Sequence, residues 1–181
     1  LPKSLTTIGT NVFKSMSELK LVVSRSSNQV TCGTDVFVST SSDLEIYMTT
    51  NSTDEKLCSN DNTKKTVSTY GETGTYIDYI ITTSNEMIIY GKGEMNNFET
   101  KEEQPWKSEG SNIQTIKIDE RVTTIGKNAF NSFEKLETIT IPSTITTIGS
   151  YAFQTSGITE VTIPTSVNSI GELVFNKCTK L

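Results

Sequence analysis

The 181-residue chain contains no histidine. That absence removes the commonest general base and the commonest protein metal ligand together. Serine and threonine abound, but with no imidazole there is no Ser–His or Cys–His pair to activate a nucleophile. No catalytic residue is therefore assigned, and neither a cofactor nor a metal is expected. Basic excess is missing as well: a formal charge of −5 and a pI near 4.9 leave no electrostatic footprint for nucleic acid. No stretch approaches ~20 consecutive apolar residues, so nothing here reads as a membrane span. Leu1-Pro2-Lys3 does not open an export signal, which would be charged and then apolar. Adjacent acids occur at Asp54-Glu55, Glu102-Glu103 and Asp119-Glu120. Two carboxylates can hydrolyse a glycoside, but neighbouring surface acids are ordinarily just solvated. Asp54, Glu55 and Asp61 do not have the spacing of a defined calcium loop. Gly91-x-Gly93 is too short for a phosphate-binding fingerprint and lacks the following helix.

What the chain does have is repetition. Its last third begins Val122-Thr-Thr-Ile-Gly-Lys-Asn-Ala-Phe130, recurs as Ile145-Thr-Thr-Ile-Gly-Ser-Tyr-Ala-Phe153, and returns as Val167-Asn-Ser-Ile-Gly-Glu-Leu-Val-Phe175. The glycines Gly126, Gly149 and Gly171 lie 23 and 22 positions apart. Between them, Leu136-x-x-Ile139-x-Ile141 and Ile158-x-x-Val161-x-Ile163 alternate like strands with one buried face. Pro142 and Pro164 follow directly and should end each strand, because proline cannot donate to a ladder. The glycine of each Ile-Gly pair reads as a backbone geometry that a side chain would resist. Ala129-Phe130, Ala152-Phe153 and Val174-Phe175 place a small or branched residue and a ring at one point of every copy. A stacked column of phenylalanines satisfies all three. One such coil cannot bury its apolar face alone, whereas stacked neighbours can, so the pattern predicts a solenoid.

The same motif opens the chain in weaker form. Leu5-Thr-Thr-Ile-Gly-Thr-Asn-Val-Phe13 matches closely, and Val30-Thr-Cys-Gly-Thr-Asp-Val-Phe37 is a degraded copy. Their strand portions alternate from the leucine onward, predicting inward sets of Leu19, Leu21 and Val23, then Leu44, Ile46 and Met48. Residues 51–75 shift to Thr, Ser, Asn, Asp and Lys, the composition of a polar linker or surface excursion. Asn51-Ser52-Thr53 within it is a glycosylation sequon. Cys32 and Cys58 flank this stretch, and two readings stand. They form a disulfide suited to an oxidising compartment, or Cys32 simply fills the Ile slot before Gly33 as a small hydrophobe. Residues 76–90 read as a β-hairpin turning at Thr83-Ser84-Asn85. Trp106, the only tryptophan, then reads as a plug at the open end of the repeat core. Ile113-x-x-Ile116-x-Ile118 is the first strand of the second array, with the hairpin capping its end coil.

The segments Ile-Pro-Ser/Thr-Ser, Val/Ile-Thr-Thr-Ile-Gly and Ala-Phe-x-x-Cys/Phe-x-x-Leu resemble the leucine-rich repeats of BspA-type surface proteins. Gly91-Lys92-Gly93-Glu94-Met95 and Pro105-Trp106 resemble the end of a module that often precedes such arrays. The expected fold is a β-rich leucine-rich-repeat solenoid of short strands and turns, with little helix and an inserted β-hairpin capping module. Its expected divisions are degenerate repeats over 1–50, the polar excursion over 51–75, the hairpin module over 76–110 and repeats over 111–181. The chain opens and closes in mid-repeat, as a piece of something longer would. The family's cysteine is kept at Cys178 and replaced by Phe133 and Met16 elsewhere, with Thr155 or Ser156 in a further copy. That pattern points to a packing role.

The resemblance implies a cell-surface or secreted protein of bacteria or protists living on mucosal surfaces. It further implies adhesion or protein–protein binding to host matrix, to host cells or to neighbouring cells, with a protein or glycan as partner. The alternative is a structural spacer that presents another domain. In the strands, the positions between the inward aliphatics face outward on the sheet and make a candidate binding face. They are Gln114, Thr115 and Lys117; Glu137, Thr138 and Thr140; and Thr159, Glu160 and Thr162. An idle solvated sheet would carry the same residue types.

Overall fold

A computed structural model describes residues 1–26, 29–49, 57–59 and 64–181, which divide into two compact units, Leu1–Ser68 and Thr69–Leu181. Both are built from coils of short strands and tight turns.

In the first unit, β1 (Thr7–Ile8) pairs in parallel with β3 (Thr31–Cys32), setting Ile8 beside Cys32. Along the other side, β2 (Leu21–Ser24) pairs in parallel with β4 (Glu45–Thr49), and β4 pairs with the start of β5 (Lys64–Gly74). Ile8, Val22, Val30, Val36, Phe37, Leu44, Ile46, Met48 and Leu57 form the buried core between them. The inward set Leu44, Ile46 and Met48 is as expected. The set Leu19, Leu21 and Val23 is not. Register with β4 puts Val22 beside Ile46 and Ser24 beside Met48, so the inward positions are Leu19, Val22 and Ser24. This is the Leu-x-x-Ile-x-Ile spacing of the later coils. Stacking on β4 selects one face, and a one-residue slip turns every side chain over. The 51–75 stretch also holds more structure than its composition suggested: β5 is 11 residues long. Its threonines, Val67 and Tyr70 are strand formers as readily as loop residues.

In the second unit, the hairpin is formed by β6 (Ile77–Thr82) and β7 (Glu86–Gly91), antiparallel and turning at Asn85 with φ 61°. Tyr76 lies outside the strand and is 79% exposed. The hairpin's second arm accepts β9 (Thr115–Ile118) in parallel, and β11 (Thr138–Ile139) and β13 (Glu160–Val161) continue the stack. A second parallel sheet runs β8 (Gly93–Glu94), β10 (Val122–Ile125), β12 (Thr147–Ile148), β14 (Ser169–Ile170). Each coil contributes one strand to each sheet. The apolar core lies between them and includes Ile116, Ile125, Leu136, Ile139, Ile148 and Ile158.

The aromatic column is present. Phe130 stacks on Phe153 at 5.4 Å and Phe153 on Phe175 at 5.6 Å. Trp106 heads the column, fully buried, stacked on Phe130 at 6.2 Å and edge-on to Tyr79 and Phe98. Its indole N–H donates to the Ala129 carbonyl at 3.0 Å, which removes the cost of burying that donor. The slot three residues past each ring holds Phe133, Ser156 and Cys178, all buried. The Cys178 thiol lies 3.1 Å from the Phe153 carbonyl, inside the packing rather than at a reactive surface.

The Ile-Gly glycines are required for a different reason from the one expected. None of them has a positive φ; the left-handed residues come two and six positions later, at Asn128 and Ser132, Tyr151 and Thr155, Leu173 and Lys177. What excludes a side chain is the neighbouring coil. A Cβ on Gly149 would sit 2.4 Å from the Lys127 nitrogen, and one on Gly171 2.4 Å from that of Ser150. Backbones approach there because the turns hydrogen-bond directly. Asn128, Phe130 and Ser132 donate their N–H groups to the Ser150, Ala152 and Gln154 carbonyls at 2.8–2.9 Å.

Candidate ligand-binding face

Parallel stacking of β9, β11 and β13 fixes which side chains line up. Thr115, Thr138 and Glu160 share one register row, while Ile116, Ile139 and Val161 share the next and point into the core. Alternation along each strand therefore sends the polar set outward. All nine candidate residues are exposed: Gln114, Thr115, Lys117, Glu137, Thr138, Thr140, Thr159, Glu160 and Thr162.

They are not one uniform patch. Thr138, Thr140, Glu160 and Thr162 line a groove of about 460 Å³ together with Ile139, Ile141, Val161 and Pro164. Gln114, Thr115, Glu137 and Thr138 line a second depression with Glu134, Lys135 and Lys180. Lys117 and Thr159 line neither. The Lys117 ammonium pairs with Glu86 at 3.0 Å, tying β9 to the hairpin, and the Thr159 hydroxyl donates to the Glu137 carbonyl at 3.3 Å. Lys135 and Lys180 belong to this surface although strand periodicity did not mark them. They sit in the turn segments just outside the alternating runs, where no period applies. Pro164, placed as a strand stop, also supplies apolar groove surface.

Charges on the face are mixed. At the end of β9, Asp119 accepts hydrogen bonds from the Arg121 backbone N–H at 2.9 Å and from its guanidinium at 2.6 and 3.0 Å. Burial pushes this carboxyl up, but the Arg121 hydrogen bonds and charge outweigh it and hold Asp119 below its ordinary value. The arrangement braces the turn into β10 and leaves no poised acid. Among the described residues no group of three or more Cys, Asp or Glu could hold a metal ion, and no helix is long and apolar enough to cross a membrane.

Cys32 and Cys58 are bonded to each other, with Cα atoms 5.2 Å apart. Cys32 meanwhile occupies the slot beside Ile8, so the two readings of this cysteine coexist. Asn51, Asp54, Glu55 and Asp61 lie outside the described residues.

The pattern of the BspA-type leucine-rich repeat region matches residues 1–78 and 107–181, in 6 copies. The chain belongs to this family. A crystal structure of a leucine-rich repeat protein from Eubacterium ventriosum superposes with a TM-score of 0.55 at 21% identity, covering 60% of this chain and 35% of that one. A leucine-rich repeat protein from Bacteroides ovatus aligns over 100% of this chain and 40% of its own length, with a TM-score of 0.48 at 20% identity. The chain thus spans well under half of either protein. No curated protein matches it by sequence. As a member of the BspA-type family, the chain is a repeat scaffold, and the first of these likenesses supports the solenoid fold.

Proposed function

We propose that this BspA-type chain is a non-catalytic binding module of a cell-surface or secreted protein, mediating adhesion or protein–protein binding to host matrix or to neighbouring cells. The supporting observation is the outward row on β9, β11 and β13: polar side chains in fixed register, beside a groove between β11 and β13. Rigid, evenly spaced groups lose little freedom on binding. The Cys32–Cys58 bond accords with an oxidising, extracellular setting.

The test is a binding assay of the pure chain on immobilised matrix proteins and host cells, alongside Thr138→Glu/Thr140→Glu/Thr162→Glu. Saturable binding that the triple variant loses is the expected result. Absence of binding by this chain, with binding by the remainder of its parent protein, would make these repeats a spacer instead. Turnover of any substrate by the pure chain would overturn the non-catalytic part.

A further inference from the structure

The turns that follow β10, β12 and β14 in the second unit carry a second feature that adhesion through the sheet face does not use. Five positions past each Ile-Gly glycine stand Asn131, Gln154 and Asn176. Asn131 Nδ2 donates to Gln154 Oε1 at 3.2 Å, and Gln154 Nε2 donates to Asn176 Oδ1 at 3.0 Å. The row is anchored at its first member, where Asn131 Nδ2 also donates to Asn128 Oδ1 at 2.8 Å. Coil stacking thereby holds planar amides in a line, each half-spent on its neighbour. One N–H of Gln154 and both of Asn176 remain available.

A groove of about 570 Å³, a volume in the range of ligand sites, is lined by the first two members of this row, Asn131 and Gln154. Three cations line it, Lys101, Lys127 and Lys177, against one acid, Glu99. Lys127 pairs with Glu99, and that pairing raises its pKa. Lys101 makes only a 3.5 Å contact with the Ser132 hydroxyl, and Lys177 has no partner among the described residues. The groove is therefore locally positive on a chain of net charge −5. The general field of such a chain repels polyanions, so a cationic groove selects where one could sit. Tyr151 adds a half-buried ring beside the amides.

We propose that this groove binds an acidic polysaccharide, a carboxylated or sulfated sugar chain laid across the stacked coils. Lys101 and Lys177 meet its acidic groups, while Gln154, held in line by Asn176, and Tyr151 meet its hydroxyls and ring faces. An acidic peptide fits less well, because the lining has no apolar pocket of the kind that seats a peptide's anchoring side chain.

The experiment is calorimetric titration of the whole 181-residue chain with a heparin oligosaccharide and an oligogalacturonate. Poly-glutamate, a single-stranded oligonucleotide and a neutral oligosaccharide serve as comparison ligands. Saturable binding to at least one acidic oligosaccharide is expected, weakening with added salt. Lys101→Glu and Lys177→Glu should each cost about tenfold in affinity, the usual worth of a charge-assisted contact. Gln154→Ala should narrow the preference for sugar over poly-glutamate. Lys92→Glu, at an exposed lysine that does not line the groove, should leave oligosaccharide affinity unchanged. Circular dichroism checks that each variant keeps its fold. No binding, equal binding of poly-glutamate or oligonucleotide, or binding indifferent to Lys101→Glu and Lys177→Glu would each overturn the proposal.

Discussion

The coils of residues 1–68 and those of residues 69–181 carry one motif but are held by different bonds. In the second unit the ring slot is continuous: Trp106, Phe130, Phe153 and Phe175 stack, and an amide row runs beside them. In the first unit Phe13 stacks on Phe37, and the amide positions are Lys14 and Val38. There a Cys32–Cys58 bond clamps the core where aromatic packing is thin. A small core commonly leans on a disulfide, whereas a longer stack can rely on nearest-neighbour burial. The comparison teaches that the period alone fixes the coil path, while stability comes from what fills the slots.

The largest effect should come from emptying the ring column. Phe153 is fully buried between two rings, so Phe153→Ala should cost about 3–5 kcal/mol, measured by denaturant unfolding followed through Trp106 fluorescence. Phe13→Ala, at a partly exposed ring with one stacking partner, should cost clearly less. Equal losses would show that the two units do not differ in what their rings contribute. Next in size, Cys32→Ser/Cys58→Ser or reduction should cost the first unit about 2–4 kcal/mol. Hydrogen exchange should report this at the amides of residues 21–24 and 45–48. Protection at residues 138–139 and 147–148 should be unchanged if the clamp serves the first unit alone.

The glycines cut across that contrast and answer to coil position instead, since a Cβ at Gly33 of the first unit would also meet the preceding coil, at the Thr10 nitrogen, at 2.4 Å. A Cβ at Gly149 meets the backbone of the preceding coil at 2.4 Å, but one at Gly9 meets only a Val12 methyl at 3.7 Å. Neither glycine has a positive φ. Gly149→Ala should therefore force coils apart and cost about 1–3 kcal/mol. Gly9→Ala should be neutral or stabilise by up to about 1 kcal/mol through the unfolded chain. Identical outcomes in thermal unfolding would refute close approach as the reason for these glycines.

Much of this was legible in the residues themselves. Ile-Gly, Ala-Phe and Leu-x-x-Ile-x-Ile at a constant period specify stacked coils because only stacking buries all three. What escaped were features that depend on the neighbouring coil. The inward turn of Val22 is set by β4, not by the alternation within β2 itself. Strand β5 was hidden because threonine serves loops and strands alike. The amide row is written as Asn, Gln and Asn, which shows no repeat of residue identity, only of hydrogen-bonding capacity. The outward face was readable as a pattern, but its grooves depend on turn residues such as Lys135 and Lys180 that follow no strand period.

The smallest expected effect tests whether turns, rather than slots, also tell the units apart. Asp119 braces the turn between β9 and β10 through Arg121, an arrangement with no counterpart described in the first unit. Its carboxyl is held below its ordinary value, despite burial, by hydrogen bonds and charge from Arg121. A depressed carboxylate contributes stability that is present above its unfolded pKa, about 3.9, and is lost as pH falls through the folded value. The second unit should thus lose a little stability on acidification below about pH 4. Because the Arg121 guanidinium is largely solvated, the loss should stay under about 1 kcal/mol and shrink in salt. Asp119→Asn should remove this part of the pH dependence while keeping an oxygen acceptor for the Arg121 N–H. If the variant and the parent chain show the same acid dependence in Trp106-monitored unfolding, the turn is held by its backbone alone, and the charge pair is incidental.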